Sequence, residues 1–469
     1  MSDKKIELMA HLMRRAGFGA TREELEERAA KGYEATVEEL LHPEAQPPWE
    51  EDLARRHHIG ARYGNGLPET QGWWLQRMIS TKRPLEEKMT LFWHSILCTG
   101  NAKVDHPQTV QRQIEMLRKH CMGNYRDLLL DLAKDPAMII YLDNRDNHKG
   151  AINENWGREL LELFSMGVGN YTEDDVKAAS RAFTGWTHKP FPPLYPYQRY
   201  FLDFVYNPED HDDGEKVFLG QRGRFNGEDI INIVARQPAT ARFIARHLYN
   251  FFVADEPPVP AWPHTPPRDG AAINILADAY LQSKYDMKVV LRVLFNSEFF
   301  KDEKVRYAKV KSPIDVVVGT LRFVGDYVTP KPGIDDLVYQ TMYMGQGILN
   351  PPSVEGWHTG KEWINSGTLA NRINFVAERV GDLQMPGVQK VVSRVVAKGG
   401  KVSATEFVDR CLELMGPVKV SEETRNALTA HVEKEGALRQ DTEEGRAAFA
   451  RRVGRTLQLI AATKEYQLA

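Results

Sequence analysis

Cysteine is scarce in this 469-residue chain: Cys98, Cys121 and Cys411 are the only three, widely spaced and without a C-x-x-C. That usage excludes a disulfide framework and a thiolate zinc site, and it points to a reducing, cytoplasmic setting. No apolar run approaches the roughly 20 residues of a membrane span, so none is expected. The opening "MSDKKIELMAHLMRRAGFGATREEL" has basic residues but no continuous apolar stretch behind them, and it does not read as a secretory signal. Net charge is also small, −3 from 61 basic and 64 acidic residues, with no basic stripe, which argues against an obligate nucleic-acid binder. The chain lacks G-x-S-x-G, H-E-x-x-H, G-x-G-x-x-G and the kinase signature set, so the common hydrolase, zincin, dinucleotide and kinase classes lose most of their support. No repeat of fixed period is present, which argues against a solenoid.

Helical periodicity is what the chain has instead. With 42% hydrophobic and 27% charged residues it can build a sizeable core. The pattern predicts helices over 3–16, 21–31, 34–42, 68–80 and 84–98, then from Pro107 toward Gly123 and over "NYRDLLLDLAKD", closed by Pro136. Others follow near Asn153, from Thr172 to about Gly185, over 227–236 and from Pro238 to Phe252, and near 270–283, 286–298, 312–326, 335–346 and 367–380. Thr21 with Glu24, and Thr172 with Asp175, have the spacing of capping boxes. "RYFLDFV" at 199–205 and "KVFL" at 216–219 alternate as strands do, and a hairpin is expected between them across "YNPEDHDDGE". The fold class expected is mainly α, a large bundle-like helical body with a small inserted β-hairpin. Residues 1–385 are expected to form the main domain and 386–469, which turns charged with helical patterns at 404–415, 421–435 and 442–463, a C-terminal helical satellite packed on it.

Five segments together resemble a large bacterial family catalogued as domain of unknown function 1800. They are "HLMRRAGFGAT", "MTLFWHSILCTGNAKV", "YLDNRDNHKGAINENWGRELLELFSMGVGNYTEDDVKAASRAFTGW", "HDDGEKVFLGQRGRFNGEDIINIVARQPATARFIARHLYNFFV" and "NPPSVEGWHTGKEWINSGTLANRINF". Their order, over roughly residues 8 to 465, makes the resemblance specific. It implies a mostly helical protein without an established activity. Family members are often exported and often encoded beside a second, sulfatase-like family, which makes a sulfatase-like protein the expected partner. Where the family tends to show His-Asn-His after Phe-Trp, this chain has His94-Ser95-Ile96, so a two-histidine metal motif is incomplete here.

The residues themselves offer several constellations. On a helix from Asn153, residues Asn155, Arg158, Glu159 and Glu162 fall at i, i+3, i+4 and i+7 and share one face. If His94 faces them, the set can do acid–base work or hold a divalent transition metal, with Glu159 or His94 as base and Arg158 as an anion clamp. The competing reading is structural: Glu154 and Arg158 are an ordinary i, i+4 ion pair and Asn153 a cap. His211, Asp212 and Asp213 form a second candidate, a metal site if another element adds ligands, or else a plain tight turn. Trp357, His358, Trp363 and Asn365 are either a loop wall over a substrate cleft or an apolar plug. A calcium loop on Asp143, Asn147 and Glu154 fails, because Arg145 stands at position 3 and His148 where the turn demands glycine. "GWHTGKEW" lacks the spacing of a phosphate loop. His94 with Cys98 permits a nucleophile pair, although a cysteine on an apolar helix is more often inert core. Two functions follow: an enzyme with a His/Glu/Arg site, metal-dependent or not, and a non-catalytic binding or assembly protein acting with a sulfatase-like partner.

Overall fold

The computed structural model describes residues 3–57, 66–190, 201–395, 402–436, 438, 440 and 442–469. Helices dominate, and the sheets among these residues are two antiparallel pairs of short strands, so the chain is mainly α. Most helix ends fall close to expectation because local chemistry sets them. Thr21 with Glu24 and Thr172 with Asp175 form reciprocal capping boxes, and Asn226 with Asp229 adds a third. Pro136 differs from expectation. It opens the Pro136–Tyr141 helix instead of closing the previous one, with Asp135 accepting from the Met138 N–H. Proline suits a first helical turn, whose N–H groups have no intrahelical partner. Pro386 likewise starts a helix, Pro386–Val395, that periodicity alone leaves unassigned.

The strands are β1 (Trp186–Pro190), β2 (Leu202–Tyr206), β3 (Lys216–Phe218) and β4 (Gln221–Gly223). The expected hairpin is corrected in its pairing: β2 and β3 do not pair with each other. β2 pairs with β1, Trp186 opposite Tyr206, and β3 with β4, Phe218 opposite Gln221. Arg199 and Tyr200, the start of the expected strand, lie outside the described residues. The reason is local. Leu219 and Gly220 both take positive φ, 46° and 76°, and close β3 directly onto β4 in a tight two-residue turn.

One apolar cluster extends from Ile6 to Ala461 and includes the buried residues of the last helices. The Pro84–Ile96 helix runs through it, buried on nearly every face, yet it carries Glu87 and Lys88. Glu87 accepts from Trp74 Nε1 at 2.8 Å, from Arg118 Nε at 2.8 Å and from Arg77. Lys88 pairs with Asp315, itself the third residue of a capping box with Ser312. These contacts join the Leu67–Ser80, Pro107–Lys119 and Pro313–Val324 helices to the central one. No helix among the described residues is long and apolar enough to cross a membrane.

Removing the Glu87 carboxylate would leave Arg77 and Arg118 facing each other in the core. Glu87→Ala is expected to cost about 3–5 kcal/mol of unfolding free energy, the penalty for stranding a buried charge. Denaturant titration measures it, and a loss near zero would mean that water reaches the guanidinium groups.

Candidate functional site

The polar segment before the Asn155–Glu162 helix is largely wiring. Asn144 and Asn147 are buried and donate to Trp186 O and Ser180 O, each at 2.8 Å. The Asn147 Oδ1 accepts the Asn153 N–H at 3.1 Å, and Asn153 accepts the Asn155 N–H at 3.0 Å, capping the helix from just ahead of it. Gly157 lets this helix press against Glu173–Ala182: a Cβ there would stand 2.2 Å from Ser180 Oγ. Trp156, Leu160 and Phe164 fill the core beside Phe183 and Trp186.

The other face carries the four polar residues read from the spacing. Asn155 Nδ2 donates to Asp143 at 3.3 Å. Arg158 donates to both oxygens of Glu173, at 2.9 and 2.7 Å, and to Glu154 at 3.1 Å, so its guanidinium is occupied by the protein's own carboxylates. Glu162 accepts the Tyr171 hydroxyl at 2.9 Å. Glu159 differs from these neighbours: its carboxylate forms no hydrogen bond or ion pair with a described residue. Burial first, then the charge of Glu162 and more weakly that of Glu355, push its carboxyl up to about 7 against the opposing charge of Arg158.

His94 has a different setting from the one its spacing invites. It is fully buried between Trp74 and Trp357, and its Nε2 accepts the Leu349 N–H at 3.0 Å. Burial holds its imidazole down to about 3, so near neutral pH it is an acceptor and not a proton carrier. It anchors a loop. Leu349 has φ of 63°, uncommon for a branched residue, and the bond from His94 holds it there. Seven residues on, Gly356 crosses the same helix so closely that a Cβ would lie 2.4 Å from Ser95 O. Between these clamps the loop carries Glu355 toward Glu159.

Beyond Glu355, Trp357 and Trp363 are buried in a small apolar cluster with Cys98 and Val310. Burial raises the Cys98 thiol far above its ordinary range, which leaves it inert as a nucleophile. Asn365 caps the Ser366–Gly381 helix in a capping box with Thr368. His358 reaches Glu362 at 2.6 Å and Glu355 at 3.6 Å, and the Glu362 hydrogen bond leads the rise of its pKa.

A cleft of about 520 Å³ opens here. Glu162, Glu355, Arg242, Phe243, Trp262 and His264 are among the residues that line it; Glu159 is not in the wall, but the two carboxylates whose charges act on it, Glu162 and Glu355, are. A smaller pocket, with His247, Asn250, Lys309, Trp357 and His358 in its wall, shares Glu355, Val259 and Pro260 with the cleft and extends it. Sequence reasoning missed this wall because "ADEPPVPAWPHTPPRDG" reads as a connector. Its available signal was Trp262, an aromatic amid prolines, now 4.5 Å beneath the Arg246 guanidinium.

His211 and Asp212 lie apart from this cleft's lining. His211 is buried with Nδ1 on Thr184 O at 2.9 Å. Asp212 takes Arg181 through both oxygens, at 2.7 and 3.2 Å, and the arginine leads the lowering of its pKa to about 2. Asp213 remains 3.9 Å from His211. Among the described residues, no group of three or more His, Cys, Asp or Glu side chains is arranged to hold a metal ion.

Compared with known proteins, the chain matches one family model, described as "Protein of unknown function (DUF1800)", over residues 11–468. No curated protein and no solved structure matches it.

The raised Glu159 pKa has a sign that stability can report. The folded carboxyl binds its proton up to about pH 7, against an ordinary value of 4.5, so its share of stability is full below about 4.5 and is lost as pH rises from there through about 7. Glu159→Gln is therefore expected to melt at a higher temperature than the parent at pH 8 and at nearly the same temperature at about pH 4. A variant that melts lower at pH 8 would place this carboxylate in the structural network instead.

Proposed function

The chain belongs to the DUF1800 family by a match over nearly its whole length, and from that premise we propose that it is a general acid–base enzyme acting in the cleft beside Glu159. The observation that carries this reading is the unpaired Glu159: its polar neighbours on the helix face are tied to the protein, and its proton is exchangeable near neutral pH. A carboxyl poised near the working pH is what proton donation to a leaving group, or abstraction from a substrate, requires. Glu162 and Glu355 supply a second carboxylate close by, the pairing that lets one acid stay protonated while another stays charged.

The wall supports a substrate class. Glu162 and Glu355 share the cleft wall with Phe243 and Trp262, which suits a hydroxyl-bearing molecule with an apolar face that packs against the ring edges and donates its hydroxyls to the acids. In this reading His358 positions Glu355, while His94, Arg158 and Asn365 hold the scaffold.

A second reading, a binding protein that docks a sulfatase-like partner, is favoured by one surface. Tyr339, Met342 and Tyr343 are exposed together on the Ile334–Tyr343 helix, Tyr343 at 60%. In that case Tyr343→Lys would abolish co-purification of the partner and leave any turnover intact.

The test is a panel of chromogenic glycosides and esters assayed from pH 5 to 9 on the parent and on Glu159→Gln. Turnover on one member, with a limb near pH 7 and a loss of about 100-fold or more in the correctly folded variant, is the expected result. No turnover on any member, or turnover that the variant retains, would overturn the enzyme reading in favour of the docking one.

A further inference from the structure

A second cavity, sharing no lining residue with the acidic cleft, lies between the Asp3–Arg15 helix, the Pro313–Val324 helix and the segment around Tyr466. Its volume is about 90 Å³, roughly three times a water's share of liquid volume. Most of its wall is apolar, with Phe18, Leu25, Val316, Phe323 and Met415 prominent. Three cationic residues line it without a carboxylate at ion-pair distance; one of them, Arg322, donates through Nη1 to Ile79 O at 2.9 Å, and the other two are Arg14 and Lys311. Arg14 donates through Nη1 to Gly416 O at 2.9 Å and covers the Tyr307 ring, but its Nε is buried with no hydrogen-bond partner. Lys311 donates to Tyr466 O at 2.6 Å and lies over that ring. Burial beside Arg14 and Arg372, offset only by Asp315, lowers its amine to about 7. Asp315 cannot neutralise it further, since it is already engaged by Lys88 and Ser312.

On the same cavity stands an orphan of the opposite sign. Glu465 is buried; its Oε1 accepts from Ser421 N at 3.1 Å and from Thr424 Oγ1 at 3.2 Å, while its Oε2 has no partner. A buried donor on a guanidinium and a buried acceptor on a carboxylate, both unsatisfied, are each costly to leave so. An apolar core-filling group satisfies neither, and an anion alone satisfies only one.

We propose that this cavity binds a small zwitterion on an apolar frame, the chemistry of a short aliphatic amino acid. Its carboxylate meets Arg14 Nε and Lys311, its ammonium meets Glu465 Oε2, and its side chain fills the space between Phe18 and Val316. Recognition is by both ends at once, because each end answers one orphan. The site is independent of the acid–base cleft, and either can fail alone.

Calorimetry and thermal shift on the full chain test this with L-alanine and L-valine as probes, against isobutyrate, which lacks the ammonium, and isobutylamine, which lacks the carboxylate. The expected result is binding of at least one amino acid, with each half-molecule weaker by roughly tenfold or more, the size of one lost charge-assisted hydrogen bond. Lys311→Met and Glu465→Gln should each weaken the amino acid by a similar factor, and Ala20→Leu, which narrows the wall, should abolish binding while all three variants keep the parent circular dichroism. Should Glu465→Gln lose its fold through the Ser421 cap, Lys311→Met and the half-molecules carry the comparison. Absence of binding by both amino acids, or half-molecules that bind as tightly as the whole, would overturn the proposal.

Discussion

Glu87 and Lys88 lie next to each other, out of reach of water, in the middle of a helix buried on nearly every face. Neither charge can remain there unpaired, and successive residues on a helix point about 100° apart, so each must find its partners on a different side. Glu87 gathers Trp74, Arg77 and Arg118 from two helices on one side, and Lys88 takes Asp315 from a helix on the other. An apolar core accepts many rotations of a helix at small cost, because packing is not directional. Four hydrogen-bonding partners do not, and they set the rotation and crossing of the helices around Pro84–Ile96.

The candidate site depends on that rotation. With Glu87 and Lys88 placed, His94 follows about two turns later and faces inward, where it accepts from Leu349, and Ser95 O is left open for Gly356 to cross. Those contacts hold the loop that brings Glu355 to within electrostatic reach of Glu159. The helix thus positions the acid site without supplying a proton carrier to it. Its histidine, held down to about 3, is suited to this task because it stays a neutral acceptor near neutral pH.

What was legible in the sequence follows the range of the interaction. Helices and their caps depend on neighbours three or four residues away, so Thr21 with Glu24 and Thr172 with Asp175 announce themselves. The shared face of Asn155, Arg158, Glu159 and Glu162 was legible for the same reason. Strand pairing was not. Both strand segments alternate correctly, but the partner is chosen by which turn closes, and the Leu219–Gly220 turn is a backbone conformation that alternation does not encode. Nor was the direction of His94 legible, since it depends on Leu349, 255 residues away. Glu355 was visible as a letter in "NPPSVEGW", yet nothing local tied it to Glu159.

The polar face of the Asn155–Glu162 helix shows how structural and chemical roles separate within one cluster. Asn155 is tied to Asp143, Arg158 bridges Glu154 and Glu173, and Glu162 holds Tyr171, so each lowers its energy by being used. Glu159 is instead made less comfortable by its surroundings: half-buried, next to two like charges, with Arg158 turned to other partners. A carboxylate placed for stability alone would share in that arginine, which stands one residue away. Glu159 forms no ion pair with Arg158, whose charge offsets its burial only in part, and a second acidic residue is brought beside it by a strained and clamped loop, at a net cost to folding. Such a cost is the usual mark of a group kept for its chemistry rather than for the fold.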